Sequence, residues 1–173
     1  MQLLASKKWR LQIADVEGAF LRGEGLHPSR GRIFIAVPPG GIPGLEDDNI
    51  IEAVKTVYGL ADAPKAWWRS FSNALRSLNL VPSRFDPCVF FYHTKAGLSG
   101  VVSLHVDDMC LGGDALFESE VLVHLKKMYP FKHWKTQSGE FLGKQLQQLP
   151  DMSIRISQEE YASQVQSIVV SRE

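Results

Sequence analysis

The chain has 173 residues, 45% hydrophobic and 22% charged, with 19 basic and 19 acidic side chains and a net charge of zero. That size predicts one ordinary domain over residues 1–173, or one domain plus a fragment of another, with a core of its own. The charge balance removes overall basicity as an argument for nucleic-acid binding, yet it leaves room for a local basic groove beside a local acidic site.

Residues 1–10 have neither the apolar core nor the cleavage site of a secretion signal. Residues 11–16 (LQIADV) form a first strand that carries Asp15 at its end; only ten residues precede it, so the chain reads as cut on that side. A short helix is expected around Ala19 and Phe20. Residues 33–37 (IFIAV) make a second strand. The Pro-, Gly- and acid-rich stretch 38–49 is a loop, without the strand-to-helix spacing of a phosphate cradle. Residues 50–58 read equally as short helix or strand. Asp62 before Pro64 marks a helix start, with an N-cap carboxylate and a proline that lacks an amide hydrogen. The helix runs over about 63–79, with Trp67, Phe71, Leu75 and Leu78 on one face and Asn79 as its stop.

Residues 88–93 and 100–106 are β-rich runs joined by a loop over 94–99. Met109-Cys110-Leu111 is a third short strand, closed by Gly112-Gly113. Asp114 caps a helix that reaches about Met128, with Phe117, Val121, Leu125 and Met128 on one stripe. Strands follow at 131–136, 140–147 and 153–156. A final helix starts near Ser157, where Ser157-Gln158-Glu159-Glu160 fits a capping box. The fold class is α+β: two layers, a mostly antiparallel sheet backed by helices. No apolar run approaches the roughly 18 residues of a membrane span. Cys88 and Cys110 share no metal-ligand spacing, so they read as small core hydrophobes in a reducing, intracellular setting.

The feature that points to chemistry is Asp107-Asp108 between two apolar strands. Adjacent like charges need either full solvation in a turn or a compensating cation. A strand pairing that brought Asp15 to the same sheet end would gather three carboxylates. Such hard oxygen donors suit two magnesium ions about 4 Å apart, the arrangement that drives phosphoryl transfer.

Five ordered blocks carry a resemblance. Asp15-Val16-Glu17-Gly18-Ala19-Phe20-Leu21-Arg22-Gly23 resembles the D-V-x-x-A-F-L-x-G signature of copia-type retrotransposon reverse transcriptases. Val57-Tyr58-Gly59-Leu60-Ala61-Asp62-Ala63-Pro64-Lys65-Ala66-Trp67 is similar to that family's L-Y-G-L-K-Q-A-P-R-A-W. Ser83-Arg84-Phe85-Asp86-Pro87-Cys88-Val89-Phe90 resembles S-x-x-D-x-x-x-F, and His105-Val106-Asp107-Asp108 stands where the family has Y-V-D-D. Phe141-Leu142-Gly143 and Ser157-Gln158-Glu159-Glu160-Tyr161 resemble its F-L-G and S-Q-x-x-Y blocks.

The resemblance implies a polymerase palm with partial fingers, and the start of a thumb after about 157. It implies Asp15, Asp107 and Asp108 as catalytic metal ligands for Mg2+, or Mn2+, with Asp15 and Asp107 the more direct pair. Phe20 would pack under the sugar and exclude a 2′ hydroxyl, against the plainer role of a core ring. Tyr58 and Gly59 would lie beside the nucleotide, or Tyr58 would simply pack at the helix start. His105 and Val106 would meet the primer end. The partners implied are an RNA or DNA template-primer and a deoxynucleoside triphosphate, in a cytoplasmic particle or the nucleus. Trp67 reads as core, and Lys65, Arg69 and Arg76 as either a nucleic-acid face or a solvated one.

Three departures from the pattern matter. His105 replaces a tyrosine, Ala61-Asp62 replaces Lys-Gln, and the long basic segment ahead of the first aspartate is absent. Residues 61–100 hold five basic and two acidic side chains, and residues 101–173 hold seven and ten. That distribution suits a template surface beside an acidic metal site. The departures keep an alternative open: a palm that has lost catalysis and serves as a nucleic-acid or protein interaction module.

Overall fold

The computed structural model describes residues 1–166. In chain order the elements are α1 (Gln2–Lys7), β1 (Gln12–Val16), a 3-10 turn (Ala19–Arg22), β2 (Ile33–Ala36), β3 (Ile50–Ala53) and α2 (Ala63–Ser77). There follow β4 (Leu80–Pro82), β5 (Val89–Thr94), β6 (Gly97–His105) and β7 (Asp108–Gly113). The helical stretch α3 (Ala115–Phe117), a π-helical turn (Glu118–Leu122) and α4 (Val123–Met128) comes next. The chain continues through β8 (Phe131–Thr136), β9 (Ser138–Phe141), β10 (Lys144–Gln148), β11 (Ile154–Ser157) and α5 (Glu159–Gln164).

Two compact units result. One comprises Met1–Glu17 and the chain from Leu78; the other is Gly18–Ser77. The first holds a six-stranded sheet in the order β4-β5-β6-β7-β1-β8 and a three-stranded sheet, β11-β10-β9. Every neighbouring pair in both sheets is antiparallel. The α+β expectation therefore holds at the level of a mostly antiparallel sheet with a few helices.

The six-stranded sheet has two covered faces. Ile13 and Cys110 are cross-strand partners and lie in one apolar cluster with Leu4, Trp9, Leu11, Phe141 and Leu146. Burial pushes the Cys110 thiol up to about 12, as expected of a packing residue rather than a nucleophile. The segment leading into β1 is held by Gln148: its side-chain oxygen accepts from the Leu11 amide at 2.9 Å and its nitrogen donates to the Trp9 carbonyl at 2.9 Å. These bonds satisfy backbone groups that would otherwise be buried unpaired. Helix α1, with Leu4 buried, has no counterpart in the sequence reading.

Asp114 caps α3 as expected. Its Oδ1 accepts from the Leu116 and Phe117 amides, each at 3.0 Å, and from Ser99 Oγ at 2.5 Å. Burial pushes this carboxyl up, but the Ser99 bond and the two amides outweigh it and hold it below the usual aspartate range. Asp114→Ala should cost about 1 kcal/mol in urea unfolding at neutral pH. A lowered carboxylate contributes stability above its unfolded value, so the gap should close as pH falls from 3.8 through the lower folded-state value.

Five expectations need correction. Met128 is 45% exposed, because it is the last residue of α4, which ends as Tyr129 turns extended; Phe117, Val121, Leu122 and Leu125 are the buried set. The expected strand 140–147 is a hairpin, broken at Leu142-Gly143, whose φ values are 55° and 66°. The expected loop 94–99 is a tight turn, with Thr94 paired to Gly97. Ser157 ends β11, and α5 begins after Gln158 without a side-chain cap, so no capping box forms. The rest of that expected final helix, from residue 167, lies outside the described residues. The fifth is Asp62, in the smaller unit: its Oδ2 pairs with Arg30 and its Oδ1 is buried without a hydrogen bond, so the carboxylate does not cap α2.

Within Gly18–Ser77, β2 and β3 form an antiparallel hairpin, which resolves residues 50–53 as strand. Helix α2 buries Trp67, Phe71 and Leu75 as its periodicity predicts, and Asn79, at φ 63°, lies just beyond its end. The Trp67 and Phe71 rings stand 5.0 Å apart.

Candidate metal centre

The sheet register builds the site. Asp15 of β1 is the direct cross-strand partner of Asp108 on β7 and of His133 on β8, and Asp108 is in turn the partner of His105 on β6. Directly opposed residues project on the same face, so His105, Asp108, Asp15 and His133 form one row across four strands. Asp15 follows Ile13 by two residues and therefore shares its face, at the end of the sheet where the apolar cluster stops. Beyond Asp15 the β1–β8 register shifts: Val16 pairs with Phe131, and Lys132 is the extra residue of a bulge. Bulges beside a site re-aim the neighbouring side chains.

One ligand atom each from Asp15, Asp108 and His133 lies within 4.8 Å of the others, and all three side chains are half-buried. Burial pushes the Asp108 carboxyl up, and the charges of Asp107 and then Asp15 push it further; His133 and His105 act the other way. Among the described residues no lysine or arginine pairs with Asp15, Asp107 or Asp108. Like charges directly opposed across a sheet are destabilising. Two carboxylates and an imidazole, converging without a basic partner, are a donor set that fits a divalent cation.

The sequence-predicted residues divide as follows. The structure brings Asp108, rather than Asp107, beside Asp15. Asp107 sits in the two-residue β6–β7 turn, half-buried, with its carbonyl accepting from the Val16 amide at 3.1 Å. His105 is exposed at the end of β6. Val106, the other turn residue, has φ 55°, a left-handed conformation that a β-branched side chain rarely tolerates. Val106→Asn should stabilise the protein by about 1 kcal/mol in urea unfolding, because asparagine adopts this conformation with less strain.

Phe20, Tyr58 and Gly59 belong to Gly18–Ser77. The Phe20 and Tyr58 rings are 5.0 Å apart and tilted by 55°, and Tyr58 is 57% exposed. The Phe20 carbonyl accepts from Thr56 Oγ1 at 2.7 Å. Gly59 has φ 91°, which only glycine adopts freely. Lys65 and Arg69 line a cavity of about 220 Å³ with Glu24, His27, Thr56 and Asp62, all in the same unit; Arg76 stands exposed in the last turn of α2.

His133 escaped the sequence reading. Its strand alternates, so His133 and Lys135 share a face, but only the register with β1 reveals that this face meets Asp15.

Residues 1–170 match the family model described as "Reverse transcriptase (RNA-dependent DNA polymerase)". The chain is 26% identical, over 95% of its length, to the Retrovirus-related Pol polyprotein from transposon TNT 1-94 of Nicotiana tabacum. It is 27% and 28% identical, over 90% of its length, to the Retrovirus-related Pol polyproteins from transposons RE2 and RE1 of Arabidopsis thaliana. It spans 12% of the first of these polyproteins and 10% of each of the others. The ordered motifs and the matched family agree: this chain belongs to the reverse transcriptase family found in copia-type retrotransposon Pol polyproteins.

Proposed function

We propose that the unit carrying the aspartate row is a polymerase palm and that the chain is the catalytic part of an RNA-directed DNA polymerase. Palm and partial fingers would then make one functional domain over 1–173. The observation that carries this reading is the Asp15–Asp108 pair at the end of an antiparallel sheet, without a basic partner, in a chain of the reverse transcriptase family.

Asp15, Asp107 and Asp108 would hold Mg2+ or Mn2+, two ions in the full reaction. When bound, the cations would acidify a primer 3′ hydroxyl and neutralise charge on the triphosphate of the incoming deoxynucleotide. The protein's own work is positioning. The β6–β7 turn presents His105 and Val106 to the primer end, and its left-handed Val106 keeps that turn tight. Gly59 lets the backbone turn closely beside a nucleotide, and Tyr58 offers an exposed ring there. Phe20, ring to ring with Tyr58, supplies the flat surface against which a 2′ hydroxyl has no room. Phe20→Ala should therefore lower discrimination against ribonucleotides by at least about tenfold in single-nucleotide incorporation assays. Unchanged sugar selectivity would remove that role.

The test is a labelled primer on an RNA template with Mg2+ and deoxynucleotides. Extension supports the proposal. Metal-dependent shortening of the primer, lost in Asp15→Asn, would make the site a nuclease instead. A second reading, a palm kept as an interaction module, is favoured by Asp62, which occupies a family glutamine position and ties up Arg30. Under that reading the protein would bind template-primer and leave it unextended.

A further inference from the structure

We propose that His133 is a further protein ligand of the metal centre, joining Asp15 and Asp108 on one ion, and that its imidazole shifts the site's preference from Mg2+ toward Mn2+. The inference rests on the metal-centre reading above and adds to it a ligand, a donor atom and a metal selectivity.

The argument begins with the register. His133 and Asp108 flank Asp15 on either side, each as its direct cross-strand partner, so all three side chains leave the same face of the sheet. Their donor atoms lie within 4.8 Å of one another, close enough for small side-chain rotations to bring them onto one ion. Asp107, the other carboxylate nearby, is outside this group because it occupies the turn rather than a strand position. The β8 bulge at Lys132 falls immediately beside His133, so the register that aligns the imidazole with Asp15 is set locally and ends there. His105 occupies the opposite end of the row, next to Asp108 but with two strands between it and His133, and it too falls outside the converging group.

The chemistry follows from the donor set. Magnesium is a hard ion that favours oxygen and keeps much of its water. A nitrogen donor gains in value along the first-row divalent series, beginning with Mn2+. Replacing one oxygen ligand by imidazole therefore discriminates between two ions that an all-carboxylate site would hold on similar terms.

The probe is Mn2+ itself, bound to the whole chain and read by electron spin-echo modulation, which detects a directly coordinated 14N nucleus without any need for turnover. The parent protein should show 14N modulation. His133→Ala and His133→Gln should abolish it while still binding Mn2+, and His105→Ala should retain it. In calorimetric titrations His133→Ala should lose about tenfold in Mn2+ affinity and change Mg2+ affinity by less than about twofold. Mn2+ bound without nitrogen modulation, or modulation that survives both His133 substitutions, overturns the inference and leaves the carboxylate metal centre standing. Mn2+ that binds the parent and Asp15→Asn equally well, or binds neither, overturns the metal-centre reading and this inference together.

Discussion

Asp108→Asn is expected to raise the melting temperature of the metal-free protein and to reduce nucleotide addition by about a thousandfold or more. The first half follows from the row. Asp108 is half-buried, directly opposed to Asp15 and immediately preceded by Asp107 in the turn, and its carboxyl is pushed up by burial and by both neighbours. An ionised group disfavoured in the folded state subtracts stability at neutral pH. A neutral amide of the same shape removes that penalty. The sign fixes the pH dependence. The variant's advantage should be full at neutral pH and shrink as pH falls through the raised folded value toward 3.8, where the parent's own carboxyl becomes protonated. The second half follows from phosphoryl transfer, where charge stabilisation supplies most of the rate and loss of one such group costs factors of this order. A rise in stability coupled to a loss of activity identifies a functional cluster; a loss of both would mark Asp108 as a structural residue.

The largest stability effect should come from Gly100 and Gly113, which are cross-strand partners on β6 and β7. The Phe117 ring packs against this pair. A Cβ built on Gly100 would stand 2.2 Å from a Phe117 ring carbon, and one on Gly113 would stand 2.4 Å from another. No rotation of a fully buried ring, itself set 6.0 Å from the Tyr92 ring, relieves both contacts. Either glycine to alanine should cost about 2–3 kcal/mol, a fall of about 5–10 °C in Tm. The double variant with Phe117→Leu should cost less than the sum of the single changes, because the clash and the ring are the same interaction. Additive costs would show that these glycines are required for some other reason.

This pair also shows what the sequence left hidden. Gly112-Gly113 reads locally as the stop of a strand, yet both glycines continue β7. Gly113 makes room for Phe117, and Gly112 for the Arg10 carbonyl and Leu4, where an added Cβ would sit 2.6 Å from each. Close approach from elsewhere in the chain is not encoded in the local dipeptide. Periodicity worked where one face packs uniformly, as on α2 with Trp67, Phe71 and Leu75. On the helical stretch after Asp114 it found Phe117, Val121 and Leu125, all buried, and missed only at Met128.

At the site, the motifs alone point to Asp15 and to the His105–Asp108 hairpin. Which aspartate faces Asp15 depends on where the two-residue turn falls, and His133 depends on the order β7-β1-β8. Both are properties of pairing between strands far apart in the chain, invisible to spacing alone. Asp62 failed as a cap for a similar reason, since Arg30 lies 32 positions away in sequence yet pairs with its carboxylate.

The most direct test of the account is rapid-quench incorporation of a single deoxynucleotide on an RNA template-primer with Mg2+, comparing the parent chain with Asp15→Asn. The row of opposed carboxylates predicts incorporation by the parent, abolished by chelation and reduced at least about a thousandfold in the variant while template-primer affinity stays within about twofold. Incorporation at equal rates in the two proteins, or template-primer binding with no incorporation by the parent, would contradict it.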